Sequence, residues 1–264
     1  AEELIKKGNS VTILDDLNTG KMTNLEKIKD KIKFVQGDIR DKNILKEIMK
    51  DKDGVFHQAA RASVQESFEK PEEYHDVNVN GTENIFAQAK EYGIKVVYAS
   101  SSSIYGNPIE LPIKENASKN PINPYAETKV EKEKLAEKYA KMGLKVIGMR
   151  YFNIFGERQS KEYAGVVKLF LENIQNKIPP KINGDGSQAR DFVYVGDVVK
   201  ANIMAMESDV DHEFFNVGTN SNISVLELAN IMIKASNLSI EPIFGPSLEG
   251  DVKVTIADIS LIEK

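Results

Sequence analysis

The sequence predicts an α/β protein, built on a doubly wound parallel sheet with a smaller α/β lobe interleaved at its C-terminal end. Over the first 150 residues, short apolar segments alternate with helix-like segments. Those apolar segments lack the polar alternation of a one-sided sheet, which is typical of strands covered on both faces. Beyond Arg150 this rhythm breaks, with loops indicated by Pro179-Pro180 and by the NGDG segment at 183–186.

The elements follow in order along the chain. Residues 1–7 read as the end of a helix that Gly8 stops, because glycine adopts the left-handed conformation without a Cβ clash. Helices are also predicted at about 73–92, 123–142 and 197–206. Strands are predicted at 10–14, 31–36, 53–57, 94–100, 144–150, 192–195 and 214–217.

These elements divide the chain into two parts. Residues 1–153 form the sheet domain, and residues 154–264 form mainly the second lobe, with about 190–218 returning to the sheet.

A sheet of this class normally opens with a strand and a Gly-rich turn that binds a pyrophosphate. Residue 1 lies inside the helix that would follow that turn, and 258–264 lie inside another predicted helix. We therefore expect both natural ends to lie outside the numbered residues, which a natural mass of 29.5 kDa would refute.

Composition excludes several classes of protein. The net charge is -5 and lysines alternate with acidic residues, which argues against nucleic acid as a partner. The absence of cysteine excludes disulfides and thiolate metal sites, and it favours a reducing, cytoplasmic location. No apolar segment approaches the ~20 residues of a membrane span, and the N-terminus does not resemble a signal peptide.

The strongest catalytic pattern combines a strand end with a helix start. Four hydroxyls at 100–103 follow the strand 94–100, at the edge where α/β sheets bind ligands. Asn123-Pro124 begins a helix on which Tyr125 and Lys129 share one face. A nearby ammonium favours the phenolate of a tyrosine, so this set can deprotonate a sugar hydroxyl while a nicotinamide takes the hydride. The alternative is an exposed amphipathic helix with its lysine in solvent.

Other strand ends suggest a dinucleotide site. A carboxylate at Asp15, after the second strand of such a unit, would accept from both adenosine ribose hydroxyls and favour NAD over NADP. The alternative is that Asp15 serves only as a turn residue before Asn18-Thr19-Gly20. Asp38 ends the next strand, where it could bind the adenine amine. The small residues that follow His57 let the backbone approach a flat ligand, whereas His57 itself reads as structural.

Two other chemistries are disfavoured. A serine nucleophile would need a Gly-x-Ser-x-Gly turn and a histidine base in a suitable position, and the sequence has neither. The three histidines, His57, His75 and His212, lack the spacing of metal ligands, so no metal site is predicted.

Several motifs in order along essentially the whole chain resemble one family. They lie at 11–20 (VTILDDLNTG), 37–41 (GDIRD), 57–60 (HQAA), 78–82 (NVNGT), 100–106 (SSSSIYG), 125–129 (YAETK), 150–153 (RYFN) and 184–195 (GDGSQARDFVYV). The chain resembles the extended short-chain dehydrogenase/reductase family, among its NAD-dependent epimerases and dehydratases, and it is most similar to the UDP-glucose 4-epimerase type. The resemblance implies a Rossmann-like NAD-binding domain with a substrate-binding second lobe, and most members are homodimers.

The implied activity is NAD-dependent C4 epimerisation of a UDP-hexose through a 4-keto intermediate. By resemblance, Tyr125 is the base and acid, Lys129 binds the nicotinamide ribose and favours the phenolate, and Ser101 relays the proton. The implied NAD contacts are Asp15, Asp16, Asn18, Gly20, Asp38, Ile39, Ala59, Asn78, Tyr125, Lys129 and Phe152. The implied substrate contacts are Ser101, Tyr125, Asn153 and Arg190.

The chain departs from the family at three places. Dehydratases carry Asp-Glu where this chain has Ser102-Ser103, which argues against dehydration. Leu248 stands where the epimerases usually place a phosphate-binding arginine. Thr255 stands where some UDP-glucose epimerases place a bulky residue, which leaves room for N-acetylhexosamines.

Two alternative functions stay open within this resemblance. One is another NAD-dependent nucleotide-sugar enzyme, such as a 4-keto-sugar reductase or a decarboxylase. The other is a non-catalytic protein that senses NAD. The chain keeps Ser101, Tyr125 and Lys129, which argues against the second alternative.

Overall fold

A parallel sheet with helices on both faces forms the main body of the protein. The computed structural model describes residues 1–160, 165–247 and 252–264. In chain order the elements are α1 (Glu2–Lys6), β1 (Val11–Asp15), β2 (Ile32–Gln36), α2 (Lys42–Met49), β3 (Gly54–His57), α3 (Val64–Glu69), α4 (Pro71–His75), α5 (Gly81–Tyr92), β4 (Lys95–Ser101), α6 (Pro124–Lys141), β5 (Val146–Tyr151), β6 (Asn153–Phe155), α7 (Val166–Gln175), β7 (Lys181–Asn183), β8 (Ala189–Arg190), β9 (Phe192–Tyr194), α8 (Val195–Glu207), β10 (His212–Val217), β11 (Ile223–Ser224), α9 (Val225–Ser236) and β12 (Ile243–Gly245).

The central four strands run parallel in the order β10, β5, β4, β3. Successive residues of β4 point to opposite faces, so Tyr98 packs against α5 and α6 while Val97 packs against α8. Nearly every residue of β4 and β5 is buried. Apolar side chains on both faces of these strands produce this two-sided burial, and the prediction of a doubly wound parallel sheet is confirmed.

Strands β1 and β2 form a separate parallel pair. They are only half-buried, unlike the predicted strands covered on both faces. Between β1 and β3 lies a cleft of about 1040 Å³, which both strands line. We call it the β1–β3 cleft.

The predicted helix 73–92 is divided in the structure. Helix α4 passes into one π-helical turn, Asp76–Asn80, before α5 begins. The wider turn coincides with Asn78, whose side chain is buried and bonded to residues outside the helix. Such turns are frequent at functional sites. Hydrophobic periodicity does not reveal the division, because the apolar side chains continue on the same face.

Helix α6 begins and ends where the sequence predicts. The Oδ1 of Asn123 accepts from the backbone N–H of Ala126 at 2.8 Å, and Pro124 takes the first helical position. At the other end Gly143 has φ 93°, and Leu144 N–H donates to Tyr139 at 3.0 Å. This left-handed end matches the expected glycine cap. The helix therefore has Tyr125 in its first turn.

The second lobe has its own small core, where α7 and α9 pack on β7 through Phe170, Ile182, Val225 and Ala229. Strand β10 returns to the main sheet beside β5, in keeping with the predicted return of about 190–218. The exact division into domains stays a prediction. Residues 260–263 form a turn rather than the continuous helix predicted over 258–264, with bonds from Glu263 N–H to Ile259 and from Lys264 N–H to Leu261.

Candidate active site

The predicted catalytic residues meet where β4 ends and α6 begins. Ser101 is the last residue of β4, and its Oγ accepts from the N–H of Ser103 at 3.1 Å. Lys129 is only 2% exposed, and its Nζ donates to the carbonyl of Ala99 on β4 at 3.1 Å. The same Nζ lies 5.4 Å from the ring centre of Tyr125. The alternative of a solvent-facing lysine is therefore wrong.

Tyr125 itself is half-buried, so its phenol remains within reach of a ligand. Its carbonyl accepts from the Thr128 hydroxyl at 2.7 Å, and Thr128 in turn accepts from Asn78 at 3.0 Å. These bonds connect the first turn of α6 to the π-helical turn. The tyrosine and lysine thus lie on a firmly held helix beside the carboxyl end of a buried strand, where α/β sheets bind ligands.

A turn after β1 presents the predicted ribose acid. Asp15 ends β1, and its Oδ1 accepts from the N–H of Leu17 at 2.7 Å. A Cβ on Gly20 would overlap the Asp15 carboxylate, so a larger residue there would displace that side chain. Asp16 accepts from the N–H of Asn18 at 2.9 Å, which holds the same turn. All four predicted residues of this segment line the β1–β3 cleft.

The other predicted adenosine contacts also line the cleft, with different environments. Asp38 lies 2.6 Å from Arg40, whose second arm lies 2.7 Å from Asp76. The bonds from Arg40 lower the pKa of Asp38 despite its partial burial. Ile39 is buried and would contact any side chain at Gly81, while Ala59 is exposed. A carboxylate at the end of β1 and the small residues Gly20 and Ala59 fit a dinucleotide such as NAD.

Asn78 and Phe152, two further residues assigned to NAD, are both buried. Asn78 is fully buried and bonds both the N–H and the carbonyl of Arg61, at 2.8 and 3.0 Å. Phe152 is buried in a cluster with Ile104 and Tyr105. Neither lines the β1–β3 cleft. Their contacts with NAD stay predictions, and the structure gives Asn78 a bracing role between two loops.

The predicted substrate residues of the second half lie on two different strand pairs, β6–β9 and β8–β11. Asn153 begins β6, and its N–H donates to the carbonyl of Asp191 at 3.0 Å, next to Arg190. The guanidinium of Arg190 donates to Ala189 and Lys253 carbonyls at 2.9 and 3.2 Å. The backbone of Asn153 is therefore bonded to the residue that follows Arg190. Leu248 lies outside the described residues, so its consequence stays a prediction.

Thr255 is buried, and its hydroxyl has no hydrogen-bond partner in the described parts of the chain. Its N–H donates to the Ala189 carbonyl at 3.1 Å, which places it beside the strand of Arg190.

His57 is also buried, with Nε2 2.8 Å from the Thr82 hydroxyl. Burial lowers the pKa of His57 well below its ordinary value, so it is a neutral residue of the core.

One buried polar cluster was not identified from the sequence. Glu133 on α6 and Arg150 on β5 form an ion pair that is 0% and 2% exposed. Ser100 and Lys119 also contact Glu133. Burial opposes charge on Glu133, but the bonds from Arg150 outweigh it and lower the pKa. An arginine inside an otherwise apolar strand was the available signal, because a buried charge requires a partner.

No group of three or more histidine, aspartate or glutamate residues within the described ranges could hold a metal ion. Across the same part of the chain, no helix is long and apolar enough to cross a membrane.

Comparison with known proteins places these observations in context. The NAD dependent epimerase/dehydratase family matches residues 1–218. A UDP-glucose 4-epimerase of Lactobacillus helveticus is 34% identical over 97% of this chain and 83% of its own length. A UDP-N-acetyl-alpha-D-glucosaminuronate decarboxylase of Bacillus cytotoxicus is 37% identical over 87% of this chain and 73% of its own.

Solved structures agree closely with the fold. UDP-glucose 4-epimerase of Thermotoga maritima with UDP-glucose has a TM-score of 0.94 and 33% identity, covering 99% of this chain and 86% of that one. UDP-N-acetylglucosamine 4-epimerase of Methanobrevibacter ruminantium has a TM-score of 0.93 and 37% identity, covering 97% and 84%. The Thermus thermophilus UDP-glucose 4-epimerase complex with NAD has a TM-score of 0.89 and 30% identity, covering 99% and 86%.

Proposed function

Because the chain belongs to the NAD-dependent epimerase/dehydratase family, we propose that it interconverts UDP-glucose and UDP-galactose by epimerisation at C4. The observation that carries the proposal is the buried Lys129 ammonium, 5.4 Å from the Tyr125 ring at the carboxyl end of β4. A base at this edge of the sheet can reach a sugar hydroxyl that lies over the strand ends.

Each catalytic side chain has a separate task. Tyr125 accepts the proton of the C4 hydroxyl and later returns it, so the residue is unchanged after a turnover. The Lys129 ammonium stabilises the phenolate by charge, and its bond to Ala99 holds it in place. Ser101 donates and accepts hydrogen bonds at the same hydroxyl. NAD bound beside these residues would supply the hydride acceptor and donor that reversible oxidation at C4 requires.

The residues assigned to the adenosine half of NAD, among them Asp15, Asp38 and Ile39, line the β1–β3 cleft. Asp15 binds the adenosine ribose hydroxyls, and Asp38 with Ile39 contacts the adenine. Arg190 and Asn153 bind the diphosphate of the substrate, since a guanidinium fork matches phosphate oxygens. The homodimer and the cytoplasmic location expected from the sequence stay predictions.

The N-acetylhexosamine forms of the substrate are a second candidate, favoured by Thr255. This residue is small, and it stands where a bulky side chain would exclude a substituent at C2 of the sugar. The similarity to a UDP-N-acetylglucosamine 4-epimerase at 37% identity supports the same candidate.

Decarboxylation is the principal rival, given the 37% identity to a UDP-sugar decarboxylase. A decarboxylase acts on a sugar acid, so the choice of substrate separates the two functions. Dehydration is disfavoured because Ser102 and Ser103 supply neither an acid nor a base.

The decisive experiment supplies UDP-glucose, UDP-N-acetylglucosamine and UDP-glucuronate separately to the purified protein, with and without added NAD. Proton NMR distinguishes the C4 epimer from a decarboxylated pentose. Tyr125→Phe should reduce epimerisation by about 10²–10⁴-fold, because general base catalysis is lost. Tyr92→Phe is the matched control, since that residue ends α5 and its hydroxyl bonds Lys46 away from the strand ends.

Turnover of Tyr125→Phe near that of the wild type would refute the assignment of the base. A pentose from UDP-glucuronate, without epimer from either hexose, would replace epimerisation by decarboxylation.

A further inference from the structure

The ion pair between Glu133 and Arg150 connects the two elements that carry the catalytic residues. Arg150 Nε donates to one carboxylate oxygen at 2.8 Å, and its NH2 group donates to the other at 2.9 Å. This two-bond geometry fixes orientation as well as distance. Glu133 lies one helical turn after Lys129 on α6, and Arg150 lies near the end of β5 beside β4.

From this pair, one set of contacts extends to the end of β4. The Ser100 hydroxyl donates to Glu133 at 2.7 Å, and Ser100 directly precedes Ser101. Lys119 also lies 2.8 Å from Glu133, on the segment that leads into α6. A single carboxylate therefore ties the strand end of Ser101 to the helix of Tyr125.

A second set extends to the turn that follows Ser101. The NH1 group of Arg150 donates to the Tyr105 hydroxyl at 2.8 Å and to the Glu115 carbonyl at 2.6 Å. Tyr105 in turn donates to Asn216 Oδ1 on β10 at 2.7 Å. Because Ser100 and Tyr105 are both attached to this pair, the segment between them is held at both ends.

A gain in folding stability does not explain why this ion pair is buried. Removing two charges from water costs free energy that their attraction repays only in part, and apolar replacements of buried ion pairs are often neutral or stabilising. What this pair supplies is geometry, since each bond is directional and every partner is specified. Reaction rates are sensitive to displacements of about 1 Å in the reacting groups.

We propose that Glu133 and Arg150 are positioning residues, which hold Ser101 in register with Tyr125 and Lys129 for proton transfer. The proposal rests on the proposed function, because it assigns that register to the C4 hydroxyl of the substrate.

The test compares three variants in epimerase assays. Ser100→Ala removes one bond and leaves the ion pair intact, so it should fold normally. We expect its kcat to fall about tenfold with KM within about threefold, because only the reacting geometry is changed. Glu133→Gln keeps the shape but loses the charge, and its kcat should fall further. Glu137→Gln, on the same helix and 3.7 Å from Lys119, is the matched control and should retain wild-type kcat.

A second readout separates positioning from general loosening. The pH profile of kcat should keep its shape in Ser100→Ala while its plateau falls, because the base is the same but less well aligned. Hydrogen exchange at the Ser103 amide, which bonds Ser101, should quicken in Ser100→Ala but not in Glu137→Gln.

The outcomes distinguish the two proposals. Wild-type kcat in Ser100→Ala, with an active wild-type enzyme, would overturn the positioning role and leave the epimerase function standing. A wild-type protein without epimerase activity would overturn both, since the register would then serve no C4 hydroxyl. Unchanged Ser103 exchange in Ser100→Ala would also contradict the positioning role, whatever the activity.

Discussion

Lys132 is a buried amine without a hydrogen-bond partner in the described residues. It lies on α6 between Lys129 and Glu133, and its Nζ is 5.6 Å from the ring centre of Tyr98. Burial lowers the pKa of Lys132 well below its ordinary value, and the Lys129 charge adds to this effect. The Lys132 charge also lowers the pKa of the neighbouring His57, after the larger effect of burial.

Replacing this amine should stabilise the protein. We expect Lys132→Met to raise the free energy of unfolding by about 1–3 kcal/mol near pH 7, because a buried unsatisfied group is removed while the volume is kept. The unfolded lysine binds a proton up to a pH of about 10.4, whereas burial makes the folded one release its proton at a lower pH. Wild-type stability therefore rises with pH in this range, and the advantage of the variant should shrink towards pH 10.

Urea denaturation of both proteins at pH 7 and pH 9.5 measures that difference. Lys134→Met, at an exposed position of the same helix, serves as control and should change stability little at either pH. An advantage of Lys132→Met that is constant with pH would show that the amine is charged in the folded state.

At the scale of single elements, the start of α6 controls the placement of Tyr125. Asn123 is buried, and its side chain satisfies the N–H of Ala126. Asn123→Ala should cost about 1 kcal/mol of stability, because a helix N-cap is lost. Its kcat should also fall, since the first turn that frays carries the base. Thermal or urea unfolding and steady-state kinetics measure the two effects.

Asn123→Ser keeps an oxygen acceptor at the cap and should recover most of both quantities. Equal losses in the serine and alanine variants would show that Asn123 acts through something other than capping.

Two elements show where the local sequence is sufficient to predict the structure and where it is not. The ends of α6 follow from local chemistry, Asn-Pro at its start and Gly143 after its end, so they were predictable. The π-helical turn at Asp76–Asn80 was not, because it depends on bonds from Asn78 to Arg61 and Thr128, which are distant in sequence. Tertiary contacts of this kind override the local pattern.

At the scale of the whole molecule, burial is uneven across the sheet. Strands β4 and β5 are buried and paired on both sides, whereas β1 and β2 are half-buried and, within the described residues, paired only with each other. Local opening costs less where fewer buried contacts must be broken. We expect amide hydrogens of β1–β2 to exchange at least tenfold faster than those of β4–β5. Hydrogen-exchange mass spectrometry of the unliganded chain checks this.

Addition of NAD should slow exchange in β1 more than in β10, because the β1–β3 cleft contains the proposed adenosine contacts. Strand β10, at the other edge of the main sheet, provides the internal control. Equal protection of both strands, or none in β1, would contradict the assignment of the cleft.

The sequence by itself determined the fold class, the strands of the first 150 residues, the ends of α6 and the pairing of Tyr125 with Lys129. These follow from local periodicity, from capping residues and from motifs that are short in sequence. Only the tertiary structure decided that Lys129 is buried, that Asn78 is a brace and that Asp38 is bound by Arg40. The Glu133–Arg150 pair likewise joins residues 17 positions apart on different elements. Burial and partner choice depend on which elements pack together, and no local pattern specifies that.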